Sequence, residues 1–118
     1  MILRRQGGAD VGVLILGFDD DDMVMAGNTV LTMGGGIALA DQGKIIYKLQ
    51  LPIGSTMSGL RIKEIAREIN AVNNIINDRG SKLDDPFLTI SYLTLTTIIE
   101  LRLTVSGVYD VKRAKIVF

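Results

Sequence analysis

The chain has 118 residues, 13 lysine plus arginine against 13 aspartate plus glutamate, and neither histidine nor cysteine. That length suits one domain, expected over residues 1–118, and lets roughly two-thirds of the unfolded surface be buried. Zero net charge with no basic patch argues against nucleic acid as a partner, and the missing imidazoles and thiols exclude His/Cys zinc sites and the usual nucleophile–base pairs.

In chain order, Val11 to Gly17 is a β-branched run bounded by glycines and predicts a buried strand. Asp19, Asp20, Asp21 and Asp22 then precede an apolar-periodic stretch, as a helix N-terminus favours. The helix is expected from Asp20 to Met33, with Met23, Ala26, Gly27, Val30 and Leu31 inward. Gly34, Gly35 and Gly36 end it. A hairpin follows: Ile37 to Ala40, a turn at Asp41, Gln42 and Gly43, and a return over Lys44 to Leu49.

Leu51 to Gly59 forms a loop rich in small hydroxyl residues, opening a long helix expected from Ser58 to Asp78. Ile62, Ile65, Ala66, Ile69, Val72 and Ile76 make its apolar stripe, and Arg79, Gly80 and Ser81 its stop. Asp85 followed by Pro86 predicts a short helix to about Thr94, against the β propensity of Thr89 to Thr97. Glu100 to Thr104 alternates as a half-buried strand, and Tyr109 to Val111 and Ala114 to Phe118 complete the sheet. This order predicts helices packed on a mixed or antiparallel sheet, in the α/β or α+β class.

Three segments invite chemical readings. The Asp19 to Asp22 cluster lacks the ligand pattern of a calcium loop, whose sixth position is glycine and twelfth glutamate; Val24 and Val30 stand there, so a capped helix start is favoured. Gly34 to Gly36 follows a helix instead of preceding one, which favours helix termination over a phosphate cradle. The loop containing Gly54, Ser55, Thr56 and Ser58 has the polarity of an anion or ligand site at a helix start. Its plainer reading is a cap at Ser58 with Met57 packed inward. The carboxylates of Asp10, Asp41, Glu64, Asp85, Glu100 and Asp110 are scattered, and their spacing makes no acid–base or metal set. No catalytic and no metal-binding residue is therefore assigned.

The chain is 47% hydrophobic, with a mean hydropathy of +0.33. Apolar surface beyond what a small core hides predicts an oligomer interface or a docking face. The longest apolar run, Val11 to Gly17, falls far short of the roughly 20 residues of a membrane span. The N-terminus has no signal-peptide pattern, and the absence of cysteine agrees with a cytoplasmic location, which is the expectation here.

Several segments, taken in order, carry a resemblance. They are Val13 to Gly17 running into Asp19 to Met23, Gly34 to Ile37, Leu51-Pro52-Ile53 with Met57-Ser58, Asp85-Pro86-Phe87 with Leu88 to Leu93, and Glu100 to Thr104 with Gly107 and Asp110-Val111. Together they resemble the C-terminal domain of microbial adenine deaminase, of the amidohydrolase superfamily. The resemblance implies a reaction converting adenine and water to hypoxanthine and ammonia. It places the manganese or iron site in a large barrel domain that 118 residues do not encode, so no cofactor is expected in this chain. Where the family carries a His-Asp-Ser-His-Asn type stretch, this chain has Gly8, Ala9, Asp10, Val11 and Gly12; Ile99 replaces a common proline. The loop Leu-Pro-Ile-Ala-Gly-Leu-Met-Ser becomes Leu51 to Ser58 with Gly54, Ser55 and Thr56 changed. The implied role is an accessory, assembly or oligomerisation domain, non-catalytic alone, whose partner is a second copy or a separate barrel chain. The alternatives are an adenine aminohydrolase completed by such a chain, or a purine-like small-molecule binder.

Overall fold

The computed structural model describes residues 2–4, 12–98 and 100–118. They form three helices and two antiparallel sheets, a mixed α/β fold as expected, although the strands divide between two sheets where one was foreseen. Two compact units result, Met1–Ile65 and Ala66–Phe118.

The first unit contains β1 (Ile2–Arg4), β2 (Val13–Ile15), α1 (Asp20–Thr32), β3 (Gly36–Asp41) and β4 (Lys44–Gln50). Its sheet has the order β2-β1-β3-β4, antiparallel throughout. The part of the expected first strand at Val11 lies outside the described residues. Helix α1 lies on one face, where Ala26, Val30 and Ala38 form a buried cluster flanked by Val13, Ile15, Met33, Ala40 and Ile45. Small side chains on both sides let helix and sheet approach closely. Strand alternation sends Ile37 and Leu39 to the opposite face, with Leu49 opposite Ile37, and these three are buried as well. Leu31, expected inward, is 52% exposed. The helix turns about Ala26 and Val30, so Leu31, one residue and 100° further on, swings out of the contact.

Helix α2 (Ile62–Asp78) begins four residues later than expected and continues into the second unit. Its stripe is graded: Val72 is fully buried, Ile65, Ile69 and Ile76 are half-buried, and Ile62 and Ala66 are exposed. The second unit adds α3 (Pro86–Tyr92), β5 (Leu101–Thr104), β6 (Gly107–Asp110) and β7 (Lys115–Ile116), the last three as a sheet in that order. The helical reading of the Pro86 segment therefore prevails over its β propensity. Asp85 caps it, accepting from the Leu88 amide at 2.9 Å, and Pro86 occupies the first turn, where a missing N–H costs nothing.

Candidate functional site

The acidic run folds as a helix start that is tied to a distant turn. Asp19 accepts the Asp22 amide at 2.9 Å, while Asp20 and Asp21 lie in the first turn of α1, against the positive end of its dipole. Asp22 does something the sequence reading missed. Its two carboxylate oxygens accept the Gln42 and Gly43 amides, at 2.9 and 2.8 Å, at the tip of the β3–β4 hairpin. Gln42 and Gly43 both adopt positive φ, 53° and 74°, as a tight two-residue hairpin turn requires. Beside them lies a cavity of ≈250 Å³ bordered by Leu16, Phe18, Asp19, Met23 and Asp41. Among the described residues no group of three His, Cys, Asp or Glu side chains is placed to hold a metal ion.

The glycine triplet is a helix end locked beneath a loop. Gly34 and Gly35 donate their amides to the Leu31 and Val30 carbonyls, each at 3.1 Å, closing a Schellman motif with Gly34 at φ 75°. Those amides are thus spent on the helix and not turned toward an anion. Ser55 is buried, and its hydroxyl donates to the Gly34 carbonyl at 2.6 Å. A Cβ on Gly35 would overlap Ser55, and one on Gly36 would overlap the Leu49 carbonyl oxygen. Close backbone approach is why glycine stands at both positions.

Of the four ligand candidates, Gly54, Ser55 and Thr56 occupy a tight loop closed by paired bonds between Ile53 and Met57 at 3.0 Å, with φ of 59° at Gly54 and 62° at Ser55. The Thr56 amide donates back to the Ile53 carbonyl at 3.3 Å. Ser58 stands beyond the loop and accepts the Leu60 amide at 3.1 Å. Ser58 therefore stabilises a turn ahead of α2 and does not cap it; the cap is Arg61, whose amide Glu64 accepts at 3.0 Å. Met57, expected inward, is 58% exposed.

Several of the remaining carboxylates are engaged. The Arg61 guanidinium, then the Arg61 amide, hold the exposed Glu64 carboxyl below the usual carboxylate range. The Lys112 ammonium does the same to Glu100, and Glu100 in turn raises Lys112. Asp110 accepts the Arg113 amide at 2.9 Å. Asp85, besides capping α3, accepts from Asn73 at 2.9 Å, and Asn73 accepts the Phe87 amide at 2.9 Å. Asn73 also escaped the sequence reading, because nothing local marks a helix-face amide as the partner of a cap 12 residues away. Asp10 lies outside the described residues.

With this geometry in hand, comparison with known proteins is specific. Residues 10–115 match the family described as adenine deaminase C-terminal domain. An adenine deaminase of Kosmotoga olearia is 40% identical over 97 residues, covering 82% of this chain and 17% of that protein. Those of Moorella thermoacetica and Methanococcoides burtonii are 38% and 33% identical over 105 residues, covering 89% of this chain and 18% of each. The chain thus spans less than a fifth of the length of these relatives.

Proposed function

The chain belongs to the adenine deaminase C-terminal domain family, and from that premise we propose that it is an accessory and assembly domain, non-catalytic alone. The observation that supports this is how its polar side chains are spent. Asp19, Asp22, Ser55, Glu64 and Asp85 all bond backbone groups of the domain itself. A general base or metal ligand needs a lone pair directed at substrate, water or ion. These residues hold shape.

The manganese or iron that the resemblance assigns to a barrel finds no fitting donor set among the described residues. The chain has no imidazole or thiol, and among the described residues its carboxylates form no metal-holding group. No step of adenine deamination is routed through this domain. In this reading the metal-activated water comes from a separate amidohydrolase barrel chain, and the domain contributes apolar surface to assembly, on a second copy or on that barrel. Its place in the cell is the cytoplasm, in purine metabolism, with neither nucleic acid nor membrane as partner. Among the described residues no helix is long and apolar enough to cross a membrane.

The test is conversion of adenine to hypoxanthine by the purified chain, followed by ultraviolet absorbance, with and without manganese. No turnover is expected in either condition. Activity that follows the protein through successive purification steps would overturn the reading. Thermal unfolding with added adenine or hypoxanthine covers the purine-binder alternative. An unchanged midpoint is expected, whereas stabilisation abolished by Thr56→Ala would move the function to the Gly54–Ser58 loop.

A further inference from the structure

The two sheets of this chain differ in what supports them. In the first, Ile37, Ala38, Leu39 and Leu49 are buried. In the second, no residue from Glu100 to Phe118 is buried. Its register shows that neither face is covered. Leu101 and Leu103 share one face with their cross-strand partners Asp110 and Val108, and are 49% and 37% exposed. Arg102, Tyr109 and Ile116 share the other face, where Ile116 is 46% exposed. The strands are also short, at four, four and two residues. A sheet of that size needs a packed face to be stable by itself.

What closes this sheet is polar and local. The Thr104 hydroxyl donates to the Gly107 carbonyl at 2.8 Å, Asp110 accepts the Arg113 amide at 2.9 Å, and Lys112 pairs with Glu100 in solvent. Exposed ion pairs contribute little. The Leu103 amide, donating to the Leu93 carbonyl at 2.7 Å, ties the sheet to the end of α3. We infer that β5–β7 opens and closes as one cooperative element while α1 and the first sheet stay folded. Segments with few buried apolar contacts open at the low end of a protein's range of local stabilities. The domain therefore has two folded forms in exchange, one with this sheet closed and one with it released from Leu93. This behaviour belongs to the chain alone and does not depend on the assembly reading above.

Native-state hydrogen exchange of the whole chain, followed by NMR, tests it. The hydrogen-bonded amides of Leu103, Val108, Val111 and Val117 should be about 100-fold or more less protected than those paired between β3 and β4. Val30→Ala discriminates further, because Val30 stays buried in both forms and its loss cancels between them. Exchange in the β3–β4 ladder should quicken by about tenfold or more, with the four β5–β7 amides unchanged within about twofold. Equal acceleration in both sheets would mean that they unfold together and would overturn the inference. Gly107→Ala makes the converse test, since at φ 124° its Cβ would overlap the Phe118 carbonyl oxygen. The same four amides should lose protection while α1 and the β3–β4 ladder keep their folded chemical shifts. Loss of those shifts as well would overturn the inference, and this variant keeps the test decisive should Val30→Ala unfold.

Discussion

Helix α1 enters from a run of aspartates whose last member reaches across to a hairpin tip, whereas α2 enters from Arg61 and Glu64, whose side chains bond each other. The two helices leave alike. Gly34 and Gly80, at φ 75° and 97°, each turn the chain through a Schellman motif, the second with Ser81 and Gly80 donating to Ile76 and Asn77 at 3.4 and 2.9 Å. Along their length they differ again. Helix α2 separates apolar from polar residues cleanly, and α1 does not. Clean amphipathicity is one way to fix how a helix lies on its neighbours. Helix α1 obtains its orientation from contacts at both ends, Asp22 on the hairpin and Ser55 over the glycines. A helix anchored in that manner has an outer face free to be apolar.

That contrast can be attacked first at the anchored end of α1. Gly36→Ala forces a Cβ onto the Leu49 carbonyl at φ 132° and should cost roughly 3–5 kcal/mol, read from denaturant unfolding. Next come the two fully buried valines, one per helix. Val30→Ala should cost about 2–3 kcal/mol, because Ala26 and Ala38 around it are too small to fill the space left. Val72→Ala should cost about 1–2 kcal/mol, since the longer, half-buried Ile69 and Ile76 can lean into the gap. A larger loss at Val72 would break the comparison. Asp22→Ala releases two hairpin amides and should cost about 1–2 kcal/mol. The corresponding change at α2, Glu64→Gln, is the smallest in effect and sharpens the contrast through pH. The folded-state pKa of Glu64 is lowered, so its stabilisation is complete above the unfolded value and is lost as pH falls through the folded one. Unfolding midpoints of Glu64→Gln should therefore decline less steeply in acid than those of the parent chain.

Local patterning made much of this fold legible. The aspartate run, the Gly34 stop, the turn at Gln42–Gly43 and the Asp85–Pro86 cap are signals a few residues long, and each produced its element. What escaped depends on separation in sequence or on small angular margins. Strand β1 has three residues and owes its place to β2 and β3 on either side. Ser58 carries the side chain of a helix cap, but its hydroxyl closes a turn on Leu60 and leaves capping to Arg61 and Glu64. Leu31 shares the helical spacing of the inner residues and still faces outward. The chemistry was legible mainly through composition, because the lack of histidine and cysteine could be read at once. That Asp22, Ser55 and Asn73 are committed to partners 12–21 residues distant could not.

The hairpin tip bears on how this domain could be engineered. Gln42–Gly43 looks like a natural place to splice in a tag or reporter, for a side chain added at Gly43 would meet only open space. An insert there would nevertheless separate the two amides that Asp22 holds, and the start of α1 would lose its tether to β3 and β4. The Arg79–Ser81 turn is the better splice point. A side chain added at Gly80 likewise meets only open space, and the bonds of its own backbone run back no further than Ile76.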